Sequence, residues 1–108
     1  MQYWTQLATE QFPPSDIVRQ AADAERAGFD AVNISDHFQP WWEPGESGHA
    51  WVMLGAIGEV TGGIPIGSGV TAPVFRHNPA VTAQAWATLE ELYPGRVFLG
   101  IGSGESLN

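Results

Sequence analysis

Strand-like and helix-like stretches alternate along this chain at a nearly fixed period, and that alternation restricts the fold more than any other feature. Residues 2–8 read as a first strand, 30–35 as a second, 64–70 as a third and 96–101 as a fourth. The second, third and fourth begin about 32 to 34 residues apart, the spacing of βα units that feed a parallel sheet. Between the first two strands, Pro13-Pro14-Ser15-Asp16 opens a helix, with Ser15 as its N-cap and Asp16 in the first turn. Ile17, Ala21 and Ala24 recur at helical spacing, and Gly28 is the stop signal. A second helix is expected from about His49 to Val60, closed by Thr61-Gly62-Gly63. Asn78-Pro79 starts a third, with Asn as cap and Pro at the first helical position; it runs to about Tyr93, and Pro94-Gly95 ends it.

This pattern predicts an α/β fold with four parallel strands and three helices, a single partial domain over residues 1–108. A whole (β/α)8 TIM barrel needs about 250 residues. The expectation is therefore the N-terminal half of such a barrel, truncated. Four strands leave two open edges, and parallel sheets are normally covered on both faces. A truncated reading frame accounts for this; a half-barrel that dimerises to bury its edges is the alternative.

Charge and composition remove several function classes. The chain holds four arginines, no lysine and a net charge of -8, so it cannot supply the clustered cations that bind nucleic acid. No apolar run approaches the ~20 residues needed to span a bilayer, and Met1-Gln2-Tyr3-Trp4 lacks the basic start of a secretion signal. With no cysteine, disulfides and thiolate metal sites are excluded. His37, His49, His77 and Asp36 lack any ligand spacing, so no metal is expected. The expected compartment is the cytoplasm, and the expected partner is a small molecule.

The unusual polar residues follow the carboxyl ends of the strands: Thr9-Glu10-Gln11, Asp36-His37, Thr71-Ala72 and Ser103-Gly104-Glu105. The opposite connections are short and plain. Ligands of α/β sheets and barrels bind at the carboxyl edge. His37 is a candidate general base, since imidazoles titrate near neutrality; the alternative is a loop histidine satisfied by Asp36 or a backbone group. Glu105 is a candidate acid or polar anchor, or else a solvated loop carboxylate. Trp41 and Trp42 lie in a long connection, roughly 36 to 48, where they either wall a planar ligand or pack under the loop. His49 and His77 read as helix-start residues. Gly67-Ser68-Gly69-Val70-Thr71-Ala72 and Gly100-Ile101-Gly102-Ser103-Gly104-Glu105 mimic dinucleotide fingerprints, but the first opens no helix before about Asn78 and the second has Glu where the third glycine belongs.

Several stretches carry a resemblance. They are Glu10-Gln11-Phe12, Ser35-Asp36-His37-Phe38-Gln39-Pro40-Trp41, Phe75-Arg76-His77-Asn78-Pro79-Ala80-Val81, Gln84-Ala85, Tyr93-Pro94-Gly95-Arg96-Val97-Phe98-Leu99-Gly100 and Gly102-Ser103-Gly104-Glu105-Ser106-Leu107-Asn108. In this order they resemble the luciferase-like family of flavin and deazaflavin oxidoreductases, the nearest branch being the F420-dependent glucose-6-phosphate dehydrogenase group. The resemblance implies hydride transfer between an alcohol-type substrate, such as a sugar phosphate, and coenzyme F420. An FMN-dependent monooxygenase is the alternative cofactor reading, and a non-catalytic half-barrel the alternative to an enzyme. It further implies that Asp36 and a bulge at Gly69-Val70, usually with a non-proline cis peptide, hold the deazaflavin ring. Ser103, Glu105 and Asn108 match further cofactor contacts. His37 matches the base that takes the hydroxyl proton, Glu105 the acid that protonates the ring, and Trp41 an aromatic wall beside the substrate. Gly69 and Ala72 stand where the sugar-phosphate enzymes carry hydroxyls. The complete enzyme is expected to be a homodimer.

Overall fold

The computed structural model describes residues 1–105. Its strands are β1 (Trp4–Leu7), β2 (Ala31–Ile34), β3 (Ile66–Thr71) and β4 (Val97–Ile101), and its helices α1 (Pro14–Ala27), α2 (Ala50–Val60) and α3 (Pro79–Leu92). The strands form one sheet in the order β1-β2-β3-β4, every neighbouring pair parallel. A sequential parallel order with the helices on one face is the arrangement of half a (β/α)8 barrel, as expected.

The sheet is curled. Trp4 on β1 and Phe98 on β4 stand three strand positions apart, yet their rings meet with centroids 5.1 Å apart. They lie on the concave face, which the helices leave uncovered. On the convex face, Leu7, Val32, Ile34 and Ile66 pack beneath Ile17, Ala21 and Ala24 of α1 and Leu54 and Ile57 of α2. The alternation along β1 expresses this directly: Trp4 and Gln6 are exposed and Leu7 is buried.

The element ends differ from expectation in instructive ways. Ser15 is not the cap of α1; Pro13 takes that position in an extended conformation and Pro14 begins the helix. A proline at the first helical position needs no N–H partner and has its φ preset, so the helix starts before Ser15 can cap it. Gly28 ends α1 in the left-handed region, φ 90°, with its N–H bonded back into the last turn. Asn78 caps α3 as expected, its side chain accepting the Ala80 N–H at 2.8 Å. Strand β3 starts two residues later than its apolar pattern suggests. Glu25 holds the N–H groups of Gly62, Gly63 and Ile64 at 2.8 to 3.0 Å and keeps that segment a turn. At its other end β3 runs on through Thr71, across an irregularity in register with β4 between Ser68 and Thr71. A 3-10 turn, Pro73–Phe75, fills part of the connection expected to be open before Asn78.

Candidate active site

A cleft of about 580 Å³ opens at the carboxyl ends of the four strands. His37, Trp41, Gly69, Val70, Ser103 and Glu105 all line it, so most of the residues singled out from the sequence converge on one site. Asn108 lies outside the described residues. Asp36 is present but sits behind the lining, with 4 % of its surface exposed.

The cleft floor is a chain of polar side chains built from the ends of β1 and β2. Thr9 and Ser35 are bonded to one another through backbone and side chain. The Ser35 hydroxyl donates to Glu10 Oε2 at 2.8 Å. Glu10 Oε1 stands 3.1 Å from His37 Nε2, at ion-pair distance though out of hydrogen-bond alignment. Thus the partner of His37 is Glu10, where the sequence pointed to Asp36 or a backbone group. His37 Nδ1 is buried with no hydrogen-bond partner among the described residues. The Trp41 ring meets the His37 ring edge-on, centroids 5.1 Å apart, and Trp42 follows at 6.1 Å from Trp41. The long loop carrying these aromatics is tied back to the floor: Ser47 Oγ donates to the His37 carbonyl at 2.6 Å, and Glu46 N–H to the Glu10 carbonyl at 3.0 Å.

Behind the floor lies a second network. Arg76 Nη2 donates to Asp36 Oδ1 at 3.1 Å and to its backbone carbonyl at 3.2 Å. Thr71 Oγ1 donates to Asp36 Oδ2 at 2.6 Å and accepts the Trp51 indole N–H at 3.1 Å. A buried carboxylate is tolerable only with such partners. His77 stacks on Trp51 with centroids 4.1 Å apart. Burial there, followed by the neighbouring Arg76 charge, pushes the His77 imidazole below its ordinary value of 6.5. His77 and His49, which stands at the N-cap of α2, belong to packing at helix starts, as their sequence positions suggested.

The end of β3 and the residue after it contribute Gly69, Val70 and Ala72 to the cleft lining. The Gly69–Val70 peptide is cis, at the bulge where the resemblance implied one. A Cβ on Gly69 would run into the Asn33 amide, and one on Gly102 into the Val70 side chain. Glycine at both positions permits this close approach of neighbouring side chains. Two residues of the site receive no role from the sequence: Glu10 is marked only by its place after a strand's carboxyl end, and Arg76 only within a stretch that carries the resemblance, its partner lying 40 residues away.

Among the described residues no helix is long and apolar enough to cross a membrane. The profile of the luciferase-like monooxygenase family matches residues 1–108. F420-dependent glucose-6-phosphate dehydrogenases are similar in sequence: that of Segniliparus rotundus is 56 % identical over 104 residues, and that of Mycolicibacterium smegmatis 52 % over 104 residues. In each case 94 % of this chain and 30 % of the relative are covered, so the chain spans under a third of the length of these curated relatives. Among solved structures, an F420-dependent secondary alcohol dehydrogenase in complex with an F420-acetone adduct superposes with a TM-score of 0.95 at 42 % identity, over 99 % of this chain and 33 % of that one. The coenzyme F420-dependent tetrahydromethanopterin reductase of Methanopyrus kandleri gives 0.80 at 29 % identity, over 96 % and 27 %. With the family profile running the whole length of the sequence, the chain belongs to the luciferase-like monooxygenase family.

Proposed function

We propose that the protein is a coenzyme F420-dependent dehydrogenase that moves a hydride between an alcohol-type substrate and the deazaflavin. The observation that carries this reading is the convergence of His37, Glu105 and Trp41 on one cleft at the carboxyl ends of parallel strands. The names of the sequence relatives and of the two F420-dependent structures support it.

The residues present fit a flat tricyclic ring. Gly69 and Gly102 line the cleft beside Val70 and Ser103, and neither leaves room for a side chain against Asn33 or Val70. Asp36, held by Arg76 and Thr71, would support the cofactor side from behind. When bound, the deazaflavin supplies a ring carbon that accepts or returns a hydride.

The protein's own part is proton handling and positioning. As hydride leaves the carbinol carbon, the hydroxyl proton goes to the His37 imidazole. Glu10, 3.1 Å from Nε2, stabilises the imidazolium, and Ser35 holds Glu10 in place through its second oxygen. Trp41, edge-on to His37, fixes the plane of that ring and walls the substrate. Glu105, at the cleft's exposed rim, carries the second exchangeable proton. The complete protein acts in the cytoplasm as a homodimer.

The test is a fluorescence titration of the complete gene product with F420 and, separately, with FMN, followed by turnover of His37→Ala. F420 should bind and FMN should not. The variant should lose about 10²- to 10⁴-fold in kcat, the usual worth of a positioned base, while its F420 affinity stays within about threefold. Absence of F420 binding, or undiminished turnover, would refute the assignment.

A further inference from the structure

Side-chain amides tie three strands together on the concave face, beside the cleft. Gln6 on β1 and Asn33 on β2 are register partners, and Asn33 stands opposite Gly67 on β3. The Asn33 amide nitrogen donates to Gln6 Oε1. Gln6 Nε2 donates in turn to the backbone carbonyl of Gly69 at 3.2 Å, reaching past β2 to β3. The chain has one direction. Because Asn33 holds the Gln6 oxygen, the Gln6 nitrogen is the end that faces the carbonyl.

That carbonyl lies where the regular pairing of the sheet is interrupted. Strand β3 pairs with β4 at Ser68 and again at Thr71, with an irregularity of register between them. The Gly69–Val70 peptide is instead held by side chains. Gln6 binds its carbonyl from the β1 side. On the β4 side the Val70 methyls lie against Gly100 and Gly102, where an added Cβ would stand 3.1 and 2.6 Å from them. Asn33 fills the space that a Gly69 side chain would need. Gln6, Gly69 and Val70 all line the cleft, and Val70 is half exposed to it.

In the open cleft water competes for the Gly69 carbonyl, so the Gln6 bond adds little to stability. A flat ring laid over Gly69 and Val70 excludes that water, and the carbonyl then depends on Gln6 for a partner. The tie is worth more with the ring bound than without it.

We propose that Gln6, oriented by Asn33, is a positioning residue that fixes the Gly69–Val70 corner of the cleft for the flat ring of the cofactor. This rests on the F420 reading above.

The experiment makes three measurements on the complete gene product. They are F420 affinity by fluorescence titration, hydrogen exchange of the backbone amides of residues 69–71 without cofactor, and the urea midpoint. Gln6→Met keeps the length of the side chain and removes the donor. It should raise Kd for F420 about fivefold, the scale of one neutral hydrogen bond, and speed exchange at residues 69–71 by a similar factor. Its urea midpoint should stay within about 0.2 M of wild type. Gln6→Glu keeps the shape but offers only acceptors at neutral pH, so it should raise Kd at least as much; it serves if the methionine variant fails to fold. Asn33→Ala frees the Gln6 amide to rotate and should raise Kd about twofold. The double variant should bind no more weakly than Gln6→Met, because both changes act through one bond. Unchanged F420 affinity in Gln6→Met would overturn the role of Gln6 and leave the F420 reading standing. A loss of affinity that tracks a large drop in urea midpoint, or additive losses in the double variant, would show a general structural role and overturn it equally. Failure of the wild type to bind F420 would overturn the underlying reading and this proposal with it.

Discussion

Removing Arg76, which stands behind the cleft lining, should cost far more stability than the loss of one hydrogen-bonding side chain suggests. Asp36 is 4 % exposed, and its two oxygens have one good donor each, Arg76 Nη2 at 3.1 Å and Thr71 Oγ1 at 2.6 Å. In Arg76→Ala the carboxylate stays buried with only the hydroxyl. Breaking a buried pair from one side costs about 3–5 kcal/mol. The Arg76 side chain is 16 % exposed, so water can reach part of the vacated space, which places the expected loss near the bottom of that range, about 3 kcal/mol. Asp36→Asn alone leaves Arg76 with the backbone carbonyl of residue 36 and should cost about 2 kcal/mol. The double variant buries a neutral amide in place of a charge, a cheaper outcome than either single loss implies. The cycle should therefore show a coupling of about 2 kcal/mol or more. Urea unfolding of the complete gene product reads these differences as shifts in midpoint at constant slope. A loss below about 0.5 kcal/mol for Arg76→Ala, or strict additivity in the double variant, would refute the reasoning, because neither can occur if Asp36 is a buried carboxylate dependent on that guanidinium.

Two glycines one turn apart in α2 should respond to alanine with opposite signs. A Cβ on Gly55 meets nothing within 4 Å, so Gly55→Ala should stabilise by about 0.5–1 kcal/mol; a Cβ on Gly58 would lie inside the Tyr93 ring, so Gly58→Ala should destabilise by about 2 kcal/mol or more, both read by the same urea titration. Glu25 is held below its ordinary value of 4.5, chiefly by the Gly62 and Gly63 N–H groups. A lowered folded-state value means its contribution is fully present above pH 4.5 and is lost as pH falls further, so the stability gap between wild type and Glu25→Gln should be about 1 kcal/mol at neutrality and close on acidification.

The signals that did reach the surface of the sequence were local ones. Gly28, Asn78-Pro79 and the apolar spacing of Ile17, Ala21 and Ala24 state helix ends and buried faces through backbone chemistry a few residues long, and the structure follows them. Ser15 misled because two prolines immediately before it fix the helix start by a stronger local rule. The late start of β3 was illegible because its cause, Glu25, sits on another element 37 residues away from Gly62. The site divides in the same manner. His37, Trp41, Ser103 and Glu105 could be nominated because position after a strand puts a side chain at the carboxyl rim. The pairing of His37 with Glu10, and of Asp36 with Arg76, depends on how far the sheet curls and how the loop at 36–48 folds back through Ser47 and Glu46. No pattern within either segment encodes that.

The same distinction assigns different work to the two cleft carboxyls. Glu10 is 3 % exposed, with one oxygen accepting from Ser35 and the other facing His37. Its Oε1 accepts no hydrogen bond among the described residues and stands 3.1 Å from the imidazole nitrogen. Such a group, held through its second oxygen by Ser35, can orient a base and stabilise its charged form. Glu105 stands at the exposed end of the same cleft, on the Gly102–Glu105 segment that follows β4, where a proton can be exchanged with solvent. Under the proposed reading, one group supports the base and the other lies where it can reach solvent. Glu10→Gln should accordingly act through His37, changing the pH dependence of turnover, whereas Glu105→Gln should lower turnover at every pH; identical profiles for the two variants would show that burial does not separate their roles.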